Sequence, residues 1–172
     1  MDPRLATLQR ELAASIAGLS AEHMARSFAG KWCTAEILEH LYLTYTGTVK
    51  GFSRLLGDGK PLASKGTWKQ RGRSLVVVGL GYMPSGRKSP ALGLPRGIPP
   101  EKVTAEIMST IIQMDELMTR CAGKFGTNVK VLDHPVLGPL SINQWRKFHL
   151  VHGLHHIRQI RRLREKLDRG EI

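Results

Sequence analysis

Four long segments of the chain carry apolar residues at a spacing of three or four, which is the period of one buried helical face. They cover about residues 3–17, 34–56, 100–121 and 142–168, and no segment shows a clear alternating strand pattern. Because amphipathic helices must bury their apolar faces against one another, this pattern predicts an all-α four-helix bundle. A length of 172 residues suits one such bundle, so we expect a single domain over residues 1–172.

The segment between the second and third predicted bundle helices, residues 57–100, is rich in glycine and proline. Long segments of this kind usually carry function or move, and here we expect a mostly irregular insertion that packs across one side of the bundle. Within it, residues 67–80 predict a short helix or an apolar, strand-like piece. Residues 133–139 combine two prolines with a glycine, which predicts a rigid, turn-rich connector before the last helix.

The chain is strongly basic, with a formal net charge of +12. Such a charge is compatible with a nucleic acid or another anionic partner, or with a solubilising surface whose basic residues lie near helix C-termini. The aromatic content is 6% and no recognised nucleic-acid motif is present. We therefore expect no specific nucleic-acid partner and a mainly solvated basic tail between Arg158 and Arg169.

Cysteine usage and hydropathy bear on the compartment. The two cysteines, Cys33 and Cys121, are too few for a disulfide framework and fit a reducing cytoplasm. No apolar run approaches the ~20 residues of a membrane span, and the first residues lack the pattern of a signal peptide. A cytoplasmic protein without a membrane partner is the expectation.

Histidines are concentrated in the last predicted helix, where four of the seven lie between His149 and His156. His152 and His156 are four residues apart and share one otherwise apolar face, so both can reach one metal ion. Two inward histidines can equally be core residues that bond to the backbone, and His40 by itself also fits that interpretation. His155 points away from this face, and His149 is expected to be a pocket residue or a spare ligand.

Two motifs resemble the signatures of the DinB-like superfamily. The segment Trp32–Leu41, with the sequence WCTAEILEHL, is similar to its pattern of Trp, a capping residue, Glu and then His-Leu on the second helix. The segment His152–Ile160, with the sequence HGLHHIRQI, is similar to its His-x-x-x-His-x-x-Gln-Ile signature. Residues 134–140, followed by Trp145 and Phe148, resemble an uncharacterised branch of that superfamily.

The resemblance implies a four-helix bundle that holds one divalent metal ion through His40, His152 and His156. Gln159 and Glu36 are candidates to orient these ligands, although each also has an ordinary structural role as a hydrogen-bond partner or a helix cap. Zinc or nickel is the first choice of metal, with iron or manganese as alternatives. Relatives that transfer low-molecular-weight thiols, such as bacillithiol or mycothiol, and relatives regarded as metal-dependent hydrolases suggest a small-molecule substrate.

Two classes of function therefore remain open at the level of sequence. The first is a metal-dependent enzyme, a thiol S-transferase or a hydrolase, in which three imidazoles leave the ion an open position for water or substrate. The second is a non-catalytic protein: a basic binding module, or a dimeric structural protein with a vestigial metal site. A homodimer is expected in the first case as well, and no further catalytic residue is assigned.

Overall fold

The four long periodic segments are the four long helices of the protein. A computed structural model describes residues 1–28, 30–84 and 89–171 of the chain, and these residues are mostly helical. The α-helices are α1 Pro3–Ile16, α2 Ala21–Ala25, α3 Thr34–Asp58, α4 Trp68–Ser74, α5 Pro100–Phe125 and α6 Ile142–Asp168. The two strands are β1 Lys130–His134 and β2 Gly138–Ser141, and shorter helical turns are a π-helix at Leu75–Gly79 and a 3₁₀-helix at Ala91–Gly93.

The helix starts follow from their capping residues. At the start of α6, the Ser141 backbone N–H donates to Gln144 Oε1 at 3.0 Å, and the Gln144 N–H donates to Ser141 Oγ at 3.4 Å. At the start of α3, the Glu36 carboxylate accepts a hydrogen bond from the Cys33 backbone N–H at 2.8 Å. These bonds satisfy N–H groups that a helix end otherwise leaves without partners.

The core forms where the apolar faces of the long helices meet. The most extensive packing is that of α3 on α5 and of α1 on α6. Gly153 marks the closest approach of α6 to α1, because a Cβ atom at this position would lie 2.2 Å from Leu8 Cδ1. Burial of a leucine such as Leu8, which has no exposed surface, contributes roughly 1.5–3 kcal/mol to stability.

A buried ionic network ties the start of α1 to α5 and α6. The Arg146 guanidinium donates to Asp115 Oδ1 at 3.1 Å and to Thr119 Oγ1 at 2.7 Å. The second Asp115 oxygen accepts the Asp2 backbone N–H at 2.9 Å. Three elements that are distant in sequence are thereby joined by one buried polar network.

Among the described residues, none of the helices combines the length and the apolar character that a membrane span requires.

The insertion is more ordered than its composition suggested. Helix α3 continues to Asp58, and α4 is followed directly by the π-helical turn. Of the two alternatives for residues 67–80, a short helix or a strand-like piece, the structure contains the helix. A capping box between Thr67 and Gln70 starts α4. The sequence predicts an exposed position for Arg87 and Lys88, and both lie outside the described residues.

The rigid, turn-rich connector predicted over residues 133–139 contains the turn of a β-hairpin, whose two strands were not predicted. The strands β1 and β2 form an antiparallel hairpin, in which Leu132 pairs with Leu140 and His134 with Gly138. The carbonyl of Leu132 also accepts a hydrogen bond from Trp145 Nε1 at 3.2 Å, which attaches the hairpin to α6. The purely helical fold class is corrected accordingly to a mostly helical fold with one two-stranded sheet.

Candidate metal centre

Three histidines from two helices meet in the interior. His40 comes from α3, and His152 and His156 come from successive turns of α6. One ring nitrogen from each lies within 4.8 Å of the others, and the Nε2 atoms of His40 and His152 are 3.0 Å apart. The exposed fractions of the three side chains are only 4%, 9% and 8%. The sequence prediction that these residues lie together is therefore matched by the geometry.

Hydrogen bonds on the outer side of the rings determine which nitrogen faces the cluster. His40 Nδ1 lies 2.6 Å from the carbonyl oxygen of Gly93 and 3.4 Å from Ser89 Oγ. Since a carbonyl only accepts, His40 Nδ1 carries the proton and its Nε2 has a free lone pair. His156 Nδ1 lies 2.9 Å from Gln159 Oε1, which leaves Nε2 of His156 free in the same way.

His152 is held by packing. Its ring stacks on Phe148, with the centroids 5.2 Å apart and an interplanar angle of 14°. Because His40 Nε2 has a lone pair, His152 Nε2 donates the 3.0 Å hydrogen bond in the absence of an ion, and ligation through both Nε2 atoms requires this proton to move to Nδ1 of His152. His152 Nδ1 is buried and has no hydrogen-bond partner among the described residues. The histidine cluster is therefore flanked by aromatic rings, those of Trp32 and Phe148.

Burial keeps all three imidazoles neutral. Desolvation, together with the neighbouring His40, lowers the pKa of His156 to about 3. Desolvation also lowers the pKa of His40, against the hydrogen bond to Gly93, and it lowers the pKa of His152 well below the ordinary value. A divalent metal ion requires deprotonated nitrogen ligands, so the donor set fits such an ion without prior loss of protons.

The spacing of the Nε2 atoms of His40 and His152 also fits one ion. Two nitrogens that each lie about 2.0–2.1 Å from a tetrahedral ion are about 3.3 Å apart. The 3.0 Å separation of His40 and His152 is close to that value, so a small movement of either ring suffices. Imidazole nitrogen suits zinc, nickel, iron and copper, and the geometry does not select among them.

The insertion supplies one wall of this centre. Gly93, which accepts the hydrogen bond of His40, is fixed because Glu39 anchors the residues that follow it. The Glu39 carboxylate accepts the backbone N–H groups of Arg96 at 2.6 Å and Gly97 at 3.1 Å. Sequence reasoning missed Glu39, although a carboxylate directly before a histidine on an apolar face is a detectable signal. It also missed Gly93, for which no local signal exists.

Two other predicted residues flank the centre. Gln159 bonds to His156 and donates from Nε2 to His155 Nε2 at 3.0 Å, so it links the two neighbouring histidines. His155 lies outside the three-histidine group, in agreement with its predicted direction. Glu36 acts as a cap for the Cys33 N–H, and it is not part of the group either.

His149 lies in the core next to the centre and outside the three-histidine group. Its ring stacks on Trp145 with centroids 5.7 Å apart and meets the edge of Tyr45 at 5.6 Å. It has no exposed surface, neither ring nitrogen has a partner among the described residues, and burial lowers its pKa to about 3. Of the two expectations for His149, a pocket residue or a spare ligand, these aromatic contacts favour a residue that packs beside the centre.

The fold and the histidine cluster define a mostly helical protein with a candidate three-histidine metal centre. Within that class, residues 6–163 match the family described as Protein of unknown function (DUF1569), and the chain belongs to this family. No curated protein and no solved structure matches the chain.

Proposed function

We propose that the protein binds one divalent metal ion through His40, His152 and His156 and acts as a metal-dependent enzyme on a small molecule. The observation that carries the proposal is the convergence of three neutral imidazoles whose outer nitrogens are already hydrogen-bonded at two of the three positions. Outer hydrogen bonds of this kind fix the tautomer and the ring orientation of metal-ligating histidines in general. Such bonds also occur in core histidines, so the proposal depends on the convergence of one nitrogen from each ring within 4.8 Å of the others.

The resemblance of the two motifs to DinB-like proteins supports the same proposal. Both motifs fall on long helices, Trp32–Leu41 at the start of α3 and His152–Ile160 within α6. Their histidines meet, as a DinB-like four-helix bundle requires. We therefore propose that the four long helices form a bundle of this type, with the insertion and the hairpin added to it.

A three-histidine set leaves a divalent ion with an open position for water or substrate. Such an ion, when bound, acidifies a coordinated water or stabilises a thiolate, which are the reactions of a hydrolase and of a thiol transferase. The contribution of the chain itself is orientation and shielding: Gly93 and Gln159 hold two of the rings, and Phe148 covers the third. We propose zinc or nickel as the ion, and a low-molecular-weight thiol as one candidate substrate.

The test of metal binding is elemental analysis of the purified protein and of single alanine variants. His40→Ala, His152→Ala and His156→Ala are each expected to lose most of the metal. His155→Ala is the matched control, because it removes an adjacent imidazole of the same helix that lies outside the group. Circular dichroism confirms that each variant is folded. Equal metal content in all four variants would refute the proposed site.

The test of catalysis uses the metal-loaded wild-type protein. It is offered an electrophile together with a low-molecular-weight thiol in one assay, and small ester and amide substrates in another. Turnover that disappears with His156→Ala and persists with His155→Ala supports the enzyme. A protein that retains stoichiometric metal but turns over none of these substrates would favour a vestigial site instead.

A further inference from the structure

A cleft lies between the insertion and the hairpin, apart from the histidine centre. Its volume is about 460 Å³, within the range of roughly 300–1,000 Å³ that is typical of small-molecule sites. Its walls come from the loop before α4, from α4 and the π-helical turn, from the hairpin and from the first turn of α6. Gln144 in that first turn precedes His152 by eight residues, which is about 12 Å along the helix axis.

The walls of this cleft are fixed by specific contacts. The Leu62 N–H donates to the Val131 carbonyl at 2.8 Å, and the Ser64 N–H donates to the Asp133 carboxylate at 3.0 Å. Gly66, with a φ of +62°, sits so close to the hairpin that a Cβ atom would lie 2.6 Å from the Pro139 ring. The loop is thus attached along one edge of β1, and the cleft is a built feature of the fold.

Three cations from three separate elements line the cleft. Lys65 comes from the loop, Arg71 from α4 and Lys130 from β1, and the lining residues include no carboxylate. None of the three forms an ion pair with a described residue. Lys130 Nζ donates only to the neutral amide oxygen of Gln144, and burial lowers the pKa of this amine. The Asp133 carboxylate accepts the Ser64 N–H and forms no ion pair with the three cations.

Three exposed cations that line one cleft without an ion-pair partner among the described residues favour an anionic ligand. The guanidinium of Arg71 offers two parallel N–H donors, which suit the oxygens of a phosphate, and two lysines add further charge. The hydroxyls of Ser64 and Ser74 line the same cleft. The volume exceeds that of a bare phosphate ion, and the exposed Leu75 adds an apolar surface for the remainder of a larger molecule.

We propose that this cleft is a binding site for a small phosphomonoester, held by Lys65, Arg71 and Lys130. The phosphate group lies among the three cations, and the organic part lies towards the apolar wall. Because the site is separate from the three histidines, it does not depend on the function proposed above. The proposed site accounts for part of the basic charge of the insertion.

The experiment is titration calorimetry at constant ionic strength, with chloride as the balancing anion. The probes are inorganic phosphate and glycerol phosphate, which share the dianion and differ in the organic part. The double variant K65Q/R71Q removes two lining cations, whereas K60Q/K69Q is the matched control, since it removes two exposed cations of the same loop and helix that do not line the cleft. Circular dichroism and metal content are measured for each.

We expect glycerol phosphate to bind more tightly than inorganic phosphate to the wild-type protein. K65Q/R71Q should weaken both by about tenfold or more, which corresponds to roughly 1.4 kcal/mol, and K60Q/K69Q should change them less than about twofold. Equal weakening by the two double variants would mean diffuse charge attraction and would overturn the proposal. Absence of binding at about 10 mM probe, a level that detects millimolar affinity, would overturn it as well.

Discussion

Proton release on metal binding tests whether the three histidines are already neutral in the metal-free protein. The perturbation is a change of pH from about 7.5 to about 6, followed by titration with zinc. Histidines with ordinary pKa values near 6.5 are about three-quarters protonated at pH 6, so three of them release about 2.3 protons when a metal binds. At pH 7.5 the same three release only about 0.3 protons.

The buried cluster is expected to behave differently. Lowered pKa values mean that the folded protein binds fewer protons at a given pH, so fewer remain to be displaced by the metal. With a pKa of about 3, His156 is almost fully deprotonated at pH 6, and His152 has a pKa lowered well below the ordinary value. Only His40 can contribute appreciably, so we expect less than about one proton per zinc at pH 6.

The assay is calorimetry in two non-coordinating buffers that differ in their enthalpy of ionisation, since the difference in observed heat gives the number of protons released. The titration at pH 7.5 is the internal control, because the histidines release little there in either case and any larger release reports ionisation of a coordinated water. Release of two or more protons at pH 6 would refute the reasoning, since it would show that the metal-free histidines are solvated and charged.

Two further predictions concern the fold. Arg146→Met leaves the buried Asp115 carboxylate with only the N-terminal ammonium of Met1, at 3.9 Å, as an ionic partner. Urea denaturation should therefore show a loss of about 3 kcal/mol, whereas the exposed Arg161→Met should cost less than about 1 kcal/mol. A loss below 1 kcal/mol for Arg146→Met would contradict the buried network. Gly153→Ala places a Cβ atom 2.2 Å from Leu8 and should destabilise by about 1–3 kcal/mol, whereas Gly47→Ala meets no atom within 4 Å and should stabilise by up to about 1 kcal/mol. Equal thermal stability of these two glycine variants would contradict the close contact of α6 with α1.

The long helices could be predicted from sequence because their signals are local and repeated. Apolar residues at a spacing of three or four extend over several turns in each of them, and capping pairs such as Ser141 with Gln144 mark the starts. The hairpin has no comparable repeated signal in its sequence. Its strands have five and four residues, Pro139 lies within β2, and a β-bulge interrupts the register, so no alternation is visible. Its stability depends on contacts with Trp145 and the preceding loop, which are not local in sequence.

The residues of the candidate centre also differ in how well they could be predicted from sequence. His152 and His156 could be paired from their separation of four residues on one helix, since helical geometry alone places them on one face. Their approach to His40 spans more than one hundred residues, and only the resemblance to a known family connected them. The residues that orient the rings were harder to predict. Gly93 lies 53 residues from His40 in sequence, and its carbonyl carries no side-chain signal.

The insertion has a structural consequence for the histidines that its composition does not reveal. Glu39 and His40 are adjacent on α3, yet both bond to the same short segment of the insertion, the first through its carboxylate and the second through Nδ1. The position of Gly93 therefore depends on Glu39, and the tautomer of His40 depends on Gly93. Because a metal ligand needs the correct tautomer, the segment around Gly93 is as necessary to this centre as the helices that carry the histidines.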